Sequence, residues 1–431
     1  MAKPKLRGAP LLWLSCAKMG GVSIEIEIMP ARGVTAPSGF VAGAARGGIK
    51  TKGADVALIL APEGSSAAAV FTSNRVKAAP VLVSAAHLNG GNPRAIAVNA
   101  GNANCCTGAR GDENARQMAA LAARKLELQT EEVLVCSTGI IGHQLPLEKV
   151  ADAIELIELG ADAATDEDAA RAFMTTDLVP KFVAARAQIG GKTVTVGGQS
   201  KGVGMIGPKM EPLGMPALHA TMLAFLTTDA QIEKSRLQNL LERAVARSFN
   251  SVTVDGDTST NDSAILLASG ASGLEIGDQN EADFFELLSF VCTQLARKIA
   301  RDGEGATHLI EIRVAGAASE SDAQTIALTI ANSPLVKTAI FGKDPNWGRI
   351  AMAAGRAGVA FDAAKLSFSL GGVAMFAFGE PLDFDLAKAE AALESEDVTI
   401  DLRIGEGEAS WTAWTCDFSY EYVKINAEYH T

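Results

Sequence analysis

Stretches with the two-residue period of strands alternate along this chain with stretches of the 3.6-residue period of helices. That alternation limits the fold more than any single motif does. "DVALILA" (55–61), "AAAVFT" (67–72), "AIAVNA" (95–100) and "EVLVCS" (132–137) read as strands, and "ENARQMAALAARKL" (113–126) reads as a helix. "KTVTVGG" (192–198) is a strand running into a Gly-rich stretch. Further on, 230–249 is an amphipathic helix with Asp229 as its N-cap. "SVTVDGD" (251–257) and "SAILLAS" (263–269) read as strands around a polar turn. The segment 283–300 is a second helix with Phe284, Leu288, Val291, Leu295 and Ile299 on one face, and "HLIEIRVA" (308–315) is a half-buried strand. Helices covering sheets is the implied layout, in the α/β or α+β class. There is no internal repeat and no low-complexity linker.

The bulk numbers fit that layout. The 431 residues are 48% hydrophobic but only 5% aromatic, so the core is built of Ala, Val, Leu and Ile. Forty-two glycines imply many tight turns or close backbone approaches. A formal charge of -12 argues against a nucleic-acid partner, which needs clustered Lys and Arg. None of the six cysteines sits in a CxxC, and adjacent Cys105 and Cys106 are a poor disulfide pair, so free thiols in a reducing compartment are expected. The five histidines form no HxxxH or HExxH pattern, and no metal is expected. The start, "MAKPKLRGAPLLWLSCAKMGG", has an apolar run at Leu11–Leu14 that is too short to span a membrane and thin for a signal peptide. It reads as a dispensable leader over 1–29 or an early start codon, with Met19 and Met29 as alternative starts.

Seven stretches carry chemistry, and each also has a bland reading. In "ALHATMLAFLTTDA" (217–230), Ala220 precedes Thr221. A threonine hydroxyl needs a base to become a nucleophile, and a free α-amine on the same residue serves, because its pKa is about 7.7–8.0. The chain would then have to be cut between Ala220 and Thr221; taken alone, an Ala-Thr step is silent. "VLVCSTGIIG" (133–142) ends a strand in Ser137, Thr138 and Gly139, whose backbone N–H groups are placed to hold an oxyanion, or which form a plain Gly turn. "FMTTD" (173–177) offers the Thr175 hydroxyl and "KGVGMIG" offers Lys201, a cation for a carboxylate; singly they read as an N-cap and a surface lysine. "RDGEGATH" (301–308) is a helix end, or a holder of Glu304 for a cationic group. "FGKDPNWGRI" (341–350) is a fixed turn around Trp347, structural or lining a site. "KINAEYHT" (424–431), with Asn426 and Thr431, would ordinarily be a frayed end.

Taken together, "STGIIG", "MTTD", "KGVGMIG", "ATMLAFLTTDA", "DGDTSTND", "RDGEGAT", "KDPNWGRI" and the terminal "NAEYHT" resemble the ornithine acetyltransferase (glutamate N-acetyltransferase, ArgJ-type) family of arginine biosynthesis, in one order from about residue 30 to the end. The resemblance implies a helix/sheet/sheet/helix fold. It also implies a chain that cuts itself between Ala220 and Thr221 into an alpha piece (30–220) and a beta piece (221–431), which pair again into an α2β2 heterotetramer. Thr221 would take the acetyl group from N-acetyl-L-ornithine and pass it to L-glutamate, in a ping-pong cycle through an acetyl-enzyme. By the same resemblance Thr138 and Gly139 form the oxyanion hole. Thr175 (or its neighbour Thr176), Lys201, Thr221, Glu304, Asn426 and Thr431 contact substrate. No cofactor is implied, and some members of the family also accept acetyl-CoA as donor; the location is the cytoplasm, with no membrane or nucleic-acid partner.

One departure stands out. The family runs KGxGMIxPxMATM, a step of eleven from Lys to Thr, whereas Lys201 to Thr221 is a step of twenty; the extra residues are roughly 211–219. Two other readings follow: a self-cleaving amidase or aminopeptidase-like hydrolase, and an uncut inactive paralogue disabled by the insert.

Overall fold

The computed structural model describes residues 24–212 and 222–428. Among these, three sheets form. The largest runs, in spatial order, Ile26–Met29, Lys181–Ile189, Lys192–Lys201, Leu223–Thr228, Ser263–Ala268, Ser66–Thr72 and Met210–Glu211. A four-stranded sheet comprises Val41–Ala45, Val56–Leu60, Ala95–Asn102 and Val133–Ile140.

Period-2 alternation builds the layers. In Leu223–Thr228, Ala224 and Leu226 pack with helices Lys234–Arg247 and Glu281–Arg301 on the outer face. Leu223 and Phe225 of the same strand face inward and meet Ile59, Val98, Leu134 and Cys136 of the smaller sheet. Val133 and Val135 then point away, onto helices Gly108–Leu126 and Leu147–Leu156. The result is helix, sheet, sheet, helix. Both central strands, Leu223–Thr228 and Ser263–Ala268, are buried at every residue, which is why they read as unbroken apolar runs. They are parallel, with Leu223 opposite Ser263, and helix Lys234–Arg247 makes their crossover. A second core lies under a six-stranded sheet that includes Leu309–Ala317, Asp397–Arg403 and Ala409–Cys416. Among the described residues no helix is long and apolar enough to cross a membrane.

Several expectations change. The amphipathic helix expected over 230–249 starts at Lys234, capped by the Glu233 carboxylate on the amides of Ser235 and Arg236. Asp229 is instead buried and accepts from the Thr195 amide at 2.9 Å, locking two strands. "SVTVDGD" is not a strand: its amides go to different partners, Thr253 to Trp414 in strand Ala409–Cys416 and Val254 to Ile206 in a loop, and Gly256 turns the chain at φ +80°. Ile26–Met29 is an edge strand paired antiparallel with Ala184–Ala187, so the leader boundary at 29 falls too late; residues 1–23 lie outside the described residues. Of the insert, Glu211 pairs with Phe71 and 213–219 lie outside the described residues. "FGKDPNWGRI" is structural. Asn346 caps helix Trp347–Gly355, and Trp347 packs on Phe376 in the second core, with ring centres 5.4 Å apart. The presumed frayed end holds a helix, Tyr420–Glu428.

Candidate active site

The inner faces of the two stacked sheets converge where strands Val133–Ile140 and Lys192–Lys201 end and strands Leu223–Thr228 and Ser263–Ala268 begin. Thr138 shares the inward face of Leu134 and Cys136 and is buried. Lys201 pairs with inward-facing Leu223 and so shares its face. The consequence is a contact between sheets: the Lys201 ammonium donates to the Thr138 hydroxyl at 3.3 Å.

Gly139 sits at φ +128°, and a Cβ there would lie 2.4 Å from the Gly101 carbonyl carbon and 2.6 Å from the Asn102 nitrogen. Only glycine fits that turn. The neighbouring strand slips register at Gly101/Asn102, where the ladder breaks. Buried amides brace the turn. Asn261 donates to the carbonyls of Ser137 (2.8 Å) and Ala103 (2.7 Å), and the Ser137 hydroxyl donates to Asn99 at 2.6 Å.

Lys201 is fully buried rather than a surface cation. Burial pushes its pKa down, opposed chiefly by Asp177. Asp177 is also buried; burial would raise it, but Lys181 and Lys201 prevail and bring it to about 2. Its carboxylate accepts from Lys181 at 2.7 Å and from the Gly202 amide at 2.9 Å, and Lys181 also reaches Asp302 at 2.5 Å. This buried ion cluster ties "MTTD", "KGVGMIG" and "RDGEG" into one framework. Lys50 completes the framework by donating to the carbonyls of Ala172 (2.9 Å) and Met174 (3.0 Å).

Glu304 is buried beside this corner, close enough to act on the charge of Lys201. Its carboxylate accepts from the Thr176 hydroxyl at 2.8 Å and from the Asn426 amide at 2.9 Å. Gly204 lies directly beneath: a Cβ there would be 2.3 Å from a Glu304 oxygen. Of the two threonines, the Thr176 hydroxyl therefore reaches Glu304, while Thr175 gives its backbone N–H to Asp177 at 3.0 Å. Asp255 clasps the other side of the Gly-rich loop through the amides of Met205 (2.7 Å) and Ile206 (2.8 Å), and its burial raises its pKa to about 6.

The structure thus brings Thr138, Gly139, Lys201, Glu304 and Asn426 to one corner. Ala220, Thr221 and Thr431 lie outside the described residues. The sequence alone does not single out Asp177, Lys181 or Asp302. Asp177 and Asp302 stand in "MTTD" and "RDGEGAT", but nothing local marks them as buried. Lys181 gave no signal, since only the fold sets it between two aspartates. Among the described residues no cluster of three or more His, Cys, Asp or Glu could hold a metal.

The fold is a layered α/β one, and the comparisons make the chain an acyltransferase of arginine biosynthesis. The model of the ArgJ family matches residues 41–431, and the chain belongs to that family. It is 50% identical over 406 residues to the arginine biosynthesis bifunctional protein ArgJ of Gloeobacter violaceus, covering 93% of this chain and 98% of that one. The protein of the same name from Symbiobacterium thermophilum is 47% identical over 409 residues, covering 93% and 99%. Among solved structures, the arginine biosynthesis bifunctional protein of Bacillus halodurans is 42% identical with a TM-score of 0.48, covering 48% of this chain and all of that one. Ornithine acetyltransferase complexed with ornithine from Mycobacterium tuberculosis is 40% identical with a TM-score of 0.41, covering 43% of this chain and all of that one.

Proposed function

We propose that this member of the ArgJ family cuts itself between Ala220 and Thr221 and uses the freed Thr221 to move an acetyl group from N-acetyl-L-ornithine to L-glutamate. Thr221 is bonded to Met222, and Met222 leads into the strand whose first residue, Leu223, pairs with Lys201. The observation that carries the reading is the corner those strands share: Lys201 on Thr138, Gly139 in a glycine-only turn, and Glu304 beside them, held by Thr176.

In the first half-reaction the Thr221 oxygen attacks the acetyl carbonyl and its proton passes to the α-amine. Thr138 and Gly139 hold the oxyanion. The acetyl C–N bond breaks, the nitrogen takes up the proton, and ornithine departs, leaving an acetyl ester on Thr221. In the second half-reaction the glutamate amine attacks that ester, the C–O bond breaks and the threonine hydroxyl returns. Both ligands carry carboxylate and ammonium groups; Lys201 suits the first and Glu304 the second. Thr176 or Thr175, Asn426 and Thr431 complete the substrate contacts. No cofactor takes part, and paired pieces assemble as α2β2 in the cytoplasm; whether acetyl-CoA also donates is read by supplying it with glutamate in place of acetylornithine.

The test is intact mass with N-terminal sequencing. Two near-equal fragments are expected, one beginning Thr-Met-Leu-Ala-Phe, and Thr221→Ala leaves one inactive full-length chain. If Thr221→Ala still splits normally, the nucleophile assignment fails. Acetylornithine and glutamate supplied together then yield acetylglutamate; free acetate as the main product would mark a hydrolase.

A further inference from the structure

The carboxylate of Asp255, the first residue of "DGDTSTND", takes no part in the chemistry described so far, yet it stands behind elements that hold Glu304. One oxygen accepts from the Met205 amide at 2.7 Å, and the other accepts from the amides of Ile206 at 2.8 Å and Asp257 at 3.1 Å. The two loops are pressed together. A Cβ on Gly207 would lie 2.9 Å from the Gly256 carbonyl carbon, and the Val254 amide donates to the Ile206 carbonyl at 2.7 Å. Met205 itself sits at φ +54°, in the left-handed region that residues with a side chain disfavour. Such a conformation persists only where its surroundings fix it. Here the Asp255 carboxylate grips the amides on either side of the Met205 α-carbon.

What the gripped loop carries is Glu304. The Val203 carbonyl accepts from the Glu304 amide at 2.8 Å, and Gly204 is the floor beneath the Glu304 carboxylate. The C-terminal helix holds the same carboxylate through Asn426, and its Tyr422 hydroxyl is turned toward Asp255. That helix is seated against the loop of Glu304. The Ser419 hydroxyl, just before the helix, donates to the Gly305 carbonyl at 2.6 Å, and a Cβ on Gly305 would lie 2.6 Å from the Tyr422 nitrogen. Loop and helix thus meet Asp255 at one end and Glu304 at the other.

We propose that Asp255 is a positioning residue that sets the affinity for the substrate's ammonium group, by fixing the Gly-rich loop on which the Glu304 carboxylate rests. This rests on the reading of Glu304 given above. Only a carboxylate offers an acceptor oxygen to both amides. In Asp255→Asn one oxygen becomes an NH2 group, which cannot accept and is set against an N–H. Protonation of Asp255 likewise sets an O–H against an N–H. Burial pushes the Asp255 carboxyl up to about 6, and neighbouring Asp257 pushes the same way. The other titratable groups facing it are Tyr422 of the C-terminal helix, Lys337 of helix Pro334–Phe341 and Cys416 of strand Ala409–Cys416. The grip is therefore full above about pH 6 and is lost below it.

The test is steady-state kinetics with acetylornithine and glutamate on the purified wild type, Asp255→Asn, Glu304→Gln and the double variant. Asp255→Asn is expected to raise KM for acetylornithine roughly tenfold while kcat changes little, the scale of one lost hydrogen bond to a charged group. In the Glu304→Gln background the same substitution is expected to add less than about twofold, because its effect runs through Glu304. Simple loosening of the fold would act alike in both backgrounds. The wild-type KM is expected to climb as pH falls through about 6, whereas Asp255→Asn has the high KM already at neutral pH and shows no such climb. Three results each overturn the proposal: a KM for Asp255→Asn within about twofold of wild type, an undiminished effect beside Glu304→Gln, or the wild-type climb in Asp255→Asn. Should Asp255→Asn fail to fold, Asp255→Glu, whose carboxylate is displaced by one methylene, goes through the same cycle. A wild-type KM, or an undiminished effect beside Glu304→Gln, then overturns it. If the wild type transfers no acetyl group, or Glu304→Gln leaves KM unmoved, the earlier reading fails and takes this one with it. If Glu304→Gln raises KM and Asp255→Asn does not, only the present proposal fails.

Discussion

Gly139 shows how tightly one position is held. Its φ of +128° and the 2.4 Å from a built Cβ to the Gly101 backbone leave no room for a side chain. Gly139→Ala therefore forces the turn to move, at a strain of about 1–3 kcal/mol. The expected outcome is a folded protein whose kcat falls roughly a hundredfold, the scale of one lost oxyanion donor. Steady-state kinetics beside a thermal melt checks this; a kcat within twofold of wild type would remove Gly139 from the oxyanion turn. The two threonines of "MTTD" make a second residue-scale comparison. Because the Thr176 hydroxyl holds Glu304, Thr176→Val is expected to raise KM several-fold, more than Thr175→Val does. The reverse order would mean that Thr175 is the contact residue.

At the scale of elements, the buried cluster of Asp177, Lys181 and Asp302 joins three loops that are far apart in sequence. The Asp177 carboxyl falls from an ordinary 3.8 to about 2 in the folded state, so its stabilisation is present above about pH 4 and is lost as pH drops toward 2. That linkage is worth about 2 kcal/mol. Asp177→Asn is expected to lower Tm at neutral pH, because it leaves buried ammonium groups unpaired, and to flatten the fall in Tm between pH 4 and 2. A slope equal to the wild type's would mean another carboxylate controls acid unfolding. The helix Tyr420–Glu428 reaches the site through Asn426 alone among the hydrogen bonds of its described residues to Glu304. Deleting Asn426–Thr431 is expected to spare cleavage and to raise KM for substrate; unchanged kinetics would refute a binding role for that tail.

For the whole molecule, the order of the large sheet matters most. Leu223–Thr228 and Ser263–Ala268 lie between Lys192–Lys201 on one side and Ser66–Thr72 on the other. A cut at Ala220–Thr221 would leave the two central strands in one piece and both flanking ladders shared with the other. The pieces should co-elute on native size-exclusion chromatography and separate only in denaturant.

Much of this was legible beforehand. Strands such as Ala95–Asn102 and helix Glu281–Arg301 announced themselves by period, and their apolar faces became the layers. Thr138 and Lys201 were visible as motif residues, but their contact was not, because it depends on two sheets stacking in register. Asp229 misled because an aspartate before a helical run resembles a cap, while its carboxylate serves a strand. Lys181 was hidden because burial of a lysine becomes sensible only once Asp177 and Asp302, 125 positions apart in the chain, are brought together.

The interleaved sheet also gives the molecule a history. An uncut chain can find its strand order with every strand of the sheet on one continuous backbone. A cut one would have to rebuild the same order from two separate chains, threading two strands between partners that would otherwise pair with each other. If the chain cuts itself as proposed, folding comes before cutting, and the cut would erase the instructions for repeating it. Such a protein unfolds along one path and does not return along it: heated and cooled, the precursor is expected to recover and the mature form is not. Its persistence is then set by how slowly it opens, not by any equilibrium with its unfolded pieces.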